Sequence, residues 1–399
     1  MNSELSIEAP RNVDVGAIDR ELRNLWREAS ADTEHPVARA CMLSLVVFVD
    51  APELDHASDM AAELAVHHPS RTILVAVDPE SSENSLSAEV SARCHMSFGR
   101  RQQICSEQVI IKSSGRSIEE VHGIVLPLLT SDLPSFLWWR SSKWPDGPSF
   151  KNIAASCDRV VIDSSRLSNS LADFRRLNDM VHGGQRGQNV RFSVADLNWS
   201  RMTPWRTVLA ELYDVPSFRH QLGLARHFEL TYSPKPGDAD RSSNAERIPS
   251  TALLAAGWLA SRLGWEGPHE VERSGDSLSL GFSCAGHHVE LKLTPDAGSD
   301  RHPDAVENDK AQTLAGTSYG LQVETGREPL TTFSVVLSEG CIQTKIVIEG
   351  ESQTPRIVGC GEVGEPDLVG EELDILGHDS TYEEAVKAGA DIASAVSKA

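Results

Sequence analysis

Long apolar runs are missing from this chain of 399 residues. No stretch approaches the roughly 20 consecutive apolar residues that a helix needs to cross a bilayer. The opening segment, MNSELSIEAPRNVDVG, has neither a basic start nor an apolar stretch, so it does not resemble a secretory signal. These absences predict a protein that is neither membrane-spanning nor exported, with the cytoplasm as its location.

Cysteine is scarce, and no two cysteines are spaced as a CxxC pair. A sparse, odd-numbered set predicts reduced thiols rather than a disulfide framework. A redox-sensitive pair remains an alternative. The seven cysteines are Cys41, Cys94, Cys105, Cys157, Cys284, Cys341 and Cys360.

Positive charge is also in short supply, since the formal net charge is −21. Residues 295–399 contain 20 acidic and 7 basic side chains, so more than half of the excess lies there. A chain of this sign repels phosphate backbones and anionic lipid surfaces. Nucleic acid and membranes are therefore not expected as partners, whereas a protein partner is left open.

Motifs for cofactors and metals are absent from the sequence. No GxGxxG follows a predicted strand, and neither a GxxxxGK[ST] phosphate loop nor an HExxH zinc motif occurs. The histidine pairs at 67–68 and 287–288 are adjacent, and on a strand adjacent side chains point to opposite faces. The sequence predicts no cofactor, no metal and no catalytic residue.

Strands alternate with helices over the first half of the chain, which predicts an α/β domain with a mostly parallel sheet flanked by helices. Two longer alternating segments, 86–98 and 102–112, predict an antiparallel pair added to that sheet. Thr203 is the expected cap of a helix at 203–214. The predicted parallel strands are 40–50, 71–78, 135–140, 159–165 and 189–199.

The chain is expected to divide into two domains. The α/β domain is predicted over 1–232, followed by a polar linker or long loop over 233–249. Residues 250–399 predict a smaller, acidic α+β domain, in which a strong apolar helix precedes alternating runs of an antiparallel sheet.

Tryptophan and arginine gather where three predicted strands end, in SFLWWR, VIDSSR and DLNWSRMTPWR. If the sheet is parallel, these ends share the edge at which open α/β sheets bind their ligands. Tryptophan and arginine are also enriched in protein–protein hot spots. The candidate partner-binding residues are Trp138, Trp139, Arg140, Trp199, Arg201, Thr203, Pro204, Trp205 and Arg206, and the candidate anion-binding residues are Asp163, Ser164, Ser165 and Arg166.

Three interpretations of this edge remain open on the residues alone. The arginines could bind a sugar phosphate, which would make the protein a sensor or a degenerate enzyme. The same side chains could instead dock a protein, or the tryptophans could simply support the core.

The strings LPSFLWWR, RVVIDSSR and DLNWSRMTPWRTVLAELYD resemble the glucose-6-phosphate dehydrogenase assembly proteins of the OpcA family. Further likenesses follow in the same order, among them HPVARACMLSLVVFV, HHPSRTILV and AAGWLASRLGW. The likeness covers most of 10–265 and continues more loosely to STYEEAV. It implies a non-enzymatic partner that promotes the active oligomer of the dehydrogenase and raises its activity, which feeds the oxidative pentose phosphate pathway and NADPH supply.

The family occurs in cyanobacteria and actinobacteria, and the resemblance implies redox control by thioredoxin in its cyanobacterial members. The controlling cysteines are not fixed by the sequence. Cys94 and Cys105 flank the predicted hairpin, whereas Cys341 and Cys360 lie in the second domain, and each of the four is a redox candidate with an inert, buried thiol as the alternative.

Overall fold

A computed structural model describes most of the chain and divides it into two compact units. The first unit comprises Met1–Arg166, Gly187–Asp196 and Pro366–His378, and the second comprises Leu167–Arg186, Leu197–Glu365 and Asp379–Ala399. The described residues are 6–7, 11–29, 37–96, 103–167, 170–183, 192–233, 248–296, 319–325, 330–338, 340–361 and 363–399.

A ten-stranded sheet forms the first unit, and its centre is parallel. Its order is β1-β6-β7-β5-β4-β8-β9-β10, with β2 on β6 and β3 on β7. Along the path β7-β5-β4-β8-β9-β10, neighbouring strands are parallel. Strand β6 is antiparallel to β7, which confirms the predicted antiparallel pair. The strands are β1 (Ser6–Ile7), β2 (Arg11–Val13), β3 (Val37–Arg39), β4 (Leu43–Asp50), β5 (Ser70–Asp78), β6 (Ser85–Met96), β7 (Gln103–Ser114), β8 (Ser135–Trp139), β9 (Arg159–Ile162) and β10 (Ser193–Asp196).

The helices alternate with the parallel strands and continue through the second unit. None of them is both long and apolar enough to span a membrane, as far as the described residues go. They are α1 (Ile18–Ala29), α2 (Leu54–His67), α3 (His122–Leu128), α4 (Gly147–Ala154), α5 (Ser170–His182), α6 (Leu197–Arg201), α7 (Thr203–Asp214), α8 (Pro216–Leu222), α9 (Ser250–Leu263), α10 (Glu365–Leu373) and α11 (Ser380–Val396).

The central strands are apolar on both faces, which explains their place in the sheet. Strand β4 reads LSLVVFVD and is buried from Leu43 to Val49, and β8 is buried over its whole length. A strand buried on both faces reads as a continuous apolar run, as expected in a parallel sheet covered by helices.

The second unit carries a nine-stranded sheet in the order β12-β13-β14-β11-β15-β16-β17-β18, with β19 on β17. All neighbouring pairs are antiparallel except β11 and β14, which run parallel. The predicted α+β architecture is confirmed, with one parallel pair added. The strands are β11 (Ala225–Tyr232), β12 (Glu266–Ser274), β13 (Ser277–Cys284), β14 (His287–Pro295), β15 (Tyr319–Thr325), β16 (Thr331–Ser338), β17 (Cys341–Ile348), β18 (Glu351–Ser352) and β19 (Arg356–Gly359).

Helices α9 and α11 cross closely because glycine lies at their contact. A Cβ added at Gly257 would lie 2.1 Å from the carbonyl oxygen of Ala385 and 2.6 Å from the amide nitrogen of Gly389. Any side chain at Gly257 would force the two helices apart.

Each unit is assembled from three separate stretches of the chain, and the predicted domain limits stay a prediction. Residues 167–186 and 197–232 belong to the second unit, and 366–378 belong to the first. With these segments the second unit is slightly larger than the first. The predicted linker, 233–249, lies almost entirely outside the described residues.

Candidate functional site

The carboxyl ends of β4, β8, β9 and β10 form one edge of the first unit's sheet, as the sequence predicts for a parallel arrangement. Each strand delivers a charged residue at or just beyond its end: Asp50, Arg140, Asp163 and Asp196. In open α/β sheets this edge is the usual place for a binding crevice.

The two tryptophans of β8 are core residues. Trp138 is fully buried. Trp139 stacks on Phe48, with ring centroids 5.0 Å apart, and meets Phe150 edge-on at 5.3 Å. Its indole Nε1 donates a hydrogen bond to the Lys143 carbonyl oxygen at 2.9 Å. In this conformation the rings support the edge and do not form its surface, so their partner-binding role stays a prediction.

Two arginines at this edge converge on one carboxylate. Arg140 follows β8 and its Nη1 donates to Glu53 Oε2. Arg166 closes a short 3-10 turn after β9, and its Nη2 lies 3.0 Å from Glu53 Oε1 and 2.9 Å from Oε2. Glu53 itself ends the 3-10 turn Ala51–Glu53 that leads from β4 into α2.

The remaining carboxylates at the edge accept hydrogen bonds from serines. Asp163 Oδ1 accepts from the Ser165 hydroxyl at 2.5 Å, and Asp196 Oδ1 accepts from the Ser164 backbone nitrogen at 2.9 Å. Asp50 Oδ1 accepts from the Ser141 hydroxyl at 2.7 Å. The structure thus brings the predicted anion-binding residues together, but it engages Asp163, Ser164 and Ser165 in the turn itself.

The second group of predicted residues belongs to the second unit. The predicted strand 189–199 ends at Asp196, and Leu197–Arg201 is helical, so that expectation is wrong beyond Asp196. The alternation of polar and apolar residues after Asp196 suggests a strand, yet the helix buries both Leu197 and Trp199. Thr203 is the first helical residue of α7, with Met202 at the cap position, which corrects the predicted cap by one residue.

Trp199 is held on several sides within the second unit. Its Nε1 donates to Asp379 Oδ2 at 2.9 Å, and its ring centroid lies 5.7 Å from that of Tyr382. The Arg206 guanidinium carbon lies 3.4 Å from the ring centroid, and Nη2 of Arg206 donates to the Thr203 hydroxyl at 2.8 Å. This is a cation–π contact at close range.

Trp205 is fully buried, and its Nε1 donates to the Val335 carbonyl oxygen at 3.2 Å. Thr203 is exposed, while Arg201, Pro204 and Arg206 are half-buried. The motif therefore offers its polar residues and Pro204 to solvent and keeps its indoles beneath them.

The cysteines correct one expectation. Cys94 and Cys105 form a disulfide, because the β6–β7 register places them opposite each other with Cα atoms 4.0 Å apart. Burial raises the pKa of the Cys157 thiol to about 12, which makes it inert. Burial, and then the nearby Cys341, raise the pKa of Cys360.

The described residues contain no group of three or more His, Cys, Asp or Glu side chains that could hold a metal ion. The sequence did not point to Glu53. The signal that could have found Glu53 is its position in the turn after one parallel strand, at the sheet edge where the segments after two other parallel strands carry Arg140 and Arg166.

The fold and the site define a class of α/β protein. At one edge of its sheet, tryptophan side chains are buried in the core and arginine side chains pair with a carboxylate of the same unit. A family model described as the glucose-6-phosphate dehydrogenase subunit N-terminal domain matches residues 61–179, and one described as its C-terminal domain matches 192–386. The chain belongs to the OpcA family, which is assigned to glucose-6-phosphate dehydrogenase assembly.

Relatives support the assignment. A protein of Nostoc punctiforme named "Putative OxPP cycle protein OpcA" is 32% identical over 219 residues, which cover 54% of this chain and 43% of that protein. A protein of the same name from Synechococcus elongatus is 26% identical over 333 residues, covering 81% and 67%. A third, from Synechocystis sp., is 27% identical over 216 residues, covering 54% and 41%. The match thus spans less than half the length of two of these relatives.

Among solved structures, a probable oxidoreductase, yhhX, matches at 9% identity with a TM-score of 0.43, covering 90% of this chain and 97% of that one. A likeness at this level supports no argument about function.

Proposed function

We propose that this chain binds glucose-6-phosphate dehydrogenase, promotes its active oligomer and raises its activity, without catalysing a reaction itself. The observation that carries this proposal is the match of both family models, over 61–179 and 192–386. An activator of this kind must bind the active state more tightly than the inactive state, since equal affinity shifts no population. Its place would be the cytoplasm, in the NADPH-producing branch of glucose metabolism.

At the start of α7 the predicted partner surface reaches solvent. Thr203 is exposed, and Arg206 lies half-buried over the Trp199 ring. Buried indoles beneath polar residues give a rigid surface, which lowers the ordering cost of binding. The acidic charge of residues 295–399 supports an alternative contact, because it could steer a basic surface of the partner.

The direct test is the activity of the dehydrogenase at subsaturating glucose 6-phosphate, with and without this protein. We expect higher velocity and co-elution on size exclusion. Unchanged velocity together with separate elution would contradict the proposal.

Thr203→Glu tests the contact surface. A new acid at the first position of a helix favours the helix dipole, and its carboxylate can accept from Arg206 in place of the Thr203 hydroxyl, so it should not destabilise α7. We expect a weaker activation of the dehydrogenase, whereas Ser82→Glu, which adds the same charge on an exposed turn of the first unit, should leave activation unchanged. Equal activation by both variants would contradict a contact at the start of α7.

For redox control we propose the Cys94–Cys105 disulfide as the pair on which thioredoxin acts, with Cys341 and Cys360 as the alternative pair. Cys94 is half-buried and Cys105 is buried, so attack would begin at Cys94. Reduction by thioredoxin should change the activation of the dehydrogenase, and Cys94→Ser should abolish that change. Cys284→Ser is the control, and its activation of the dehydrogenase should still change on reduction. If reduction leaves activation by the wild-type protein unchanged, the proposal is wrong.

A further inference from the structure

The segments that follow three consecutive strands of the sheet, β4, β8 and β9, each contribute one side chain to a charged cluster at the same edge. Glu53 lies three residues beyond β4, Arg140 directly follows β8, and Arg166 ends the turn after β9. Both guanidinium groups donate to the Glu53 carboxylate, and Arg166 contacts both of its oxygens.

Exposure within this cluster increases from the arginines to the carboxylate. The side chains of Arg140 and Arg166 are 4% and 9% exposed, whereas Glu53 is 33% exposed. The carboxylate is therefore the outermost group, and it covers two guanidinium groups that lie almost out of solvent.

Buried guanidinium groups require an anion, because removing one partner of a buried pair leaves an uncompensated charge. Two planar guanidinium groups that donate to the same position suit an anion with several acceptor oxygens. A phosphate monoester carries more charge and more acceptors than a carboxylate and binds arginine in the same bidentate way.

The other acids at this edge face donors of their own. Asp50, Asp163 and Asp196 accept from Ser141, Ser165 and the Ser164 backbone nitrogen, respectively. These bonds engage the neighbouring carboxylates with serines, and Glu53 accepts from both arginines.

We propose that Glu53 is the resident anion of a phosphate-binding site, and that a phosphate monoester binds there by displacing the Glu53 carboxylate from Arg140 and Arg166. The turn Ala51–Glu53 supplies the displaceable group, and the arginines stay in place. This inference stands apart from the proposed binding of the dehydrogenase.

Calorimetric titration of the full chain with inorganic phosphate and with glucose 6-phosphate tests the proposal. Wild-type protein should show saturable binding in the range of about 1 mM. Glu53→Gln keeps the side-chain size and removes the competing charge, so we expect it to bind about tenfold more tightly. Tighter binding of glucose 6-phosphate than of inorganic phosphate would identify a sugar phosphate as the source of the group.

Two matched variants complete the test. Glu80→Gln alters an exposed acid that pairs with Lys143, and it should leave the affinity unchanged. Arg166→Lys keeps the charge and loses the fork, so it should weaken binding even if Glu53→Gln fails to fold. No saturable binding by the wild type overturns the proposal, as does equal affinity in wild type and Glu53→Gln, or in wild type and Arg166→Lys.

Discussion

At the scale of single residues, indole N–H groups hold the tryptophan-rich motif in place. Trp139 and Trp205 donate to backbone carbonyl oxygens, whereas Trp199 donates to the Asp379 carboxylate. Asp379 also caps α11, because its Oδ1 accepts from the Tyr382 backbone nitrogen at 3.0 Å. One carboxylate therefore fixes both a helix start and an indole.

Trp199→Phe should lower the free energy of unfolding by about 1.5–3 kcal/mol, since it removes a hydrogen bond to a charged group. The ring beneath Arg206 is kept. In an Asp379→Asn background, which retains a capping oxygen, the same substitution should cost clearly less. Urea denaturation of the four proteins measures the coupling, and equal costs in both backgrounds would show that the bond contributes nothing.

At the scale of elements, the α9–α11 crossing depends on the missing side chain of Gly257. Overpacking a close contact usually costs about 1–3 kcal/mol. Gly257→Ala should therefore lower the melting temperature, because its Cβ would overlap the Ala385 carbonyl oxygen. Gly123→Ala is the matched helical control, since a Cβ there meets nothing within 4 Å, and it should be neutral or slightly stabilising. Similar melting temperatures for both variants would contradict this account of the crossing.

The sequence predicts well those strands whose apolar composition indicates that both faces are buried. LSLVVFVD and RTILVAVD are apolar on both faces, and they form β4 and β5. Strand β12, EGPHEVERS, was missed because it is an edge strand with mostly exposed residues and a proline. Edge strands are protected by charge and proline, which hides them from hydrophobic patterns.

The candidate site was predicted only in part, for a related reason. Residue types and the parallel edge follow from the sequence, but Glu53 sits in the segment APELD, which indicates a helix start. Which carboxylate meets Arg140 and Arg166 depends on strand order, and strand order is a property of the folded sheet.

At the scale of the whole molecule, the chain passes between the two units five times. The segment 366–378 returns to the first unit, where Glu372 pairs with Arg159 across a sequence separation of 213 residues. Both side chains are nearly buried, and Arg159 also donates to the Gly377 carbonyl oxygen at 2.7 Å. No linear domain boundary can capture such a return.

Glu372→Gln should destabilise the protein by about 3–5 kcal/mol, because it leaves the buried Arg159 charge without its carboxylate. Glu384→Gln breaks an exposed pair with Arg262 and should cost less than about 1 kcal/mol. Thermal unfolding of both variants checks the difference. Equal melting temperatures would mean that the return of 366–378 adds no stability through this ion pair.

The late return of residues 366–378 also bears on biosynthesis. Domains generally fold as units while the chain is still being made. Here Glu372 is synthesised 213 residues after Arg159, so the nascent α/β unit lacks the carboxylate that pairs with Arg159 during that interval. During translation all ten strands of this sheet are made well before the segment that supplies Arg159 with its carboxylate, and we expect the nascent chain to depend most on chaperones in that interval.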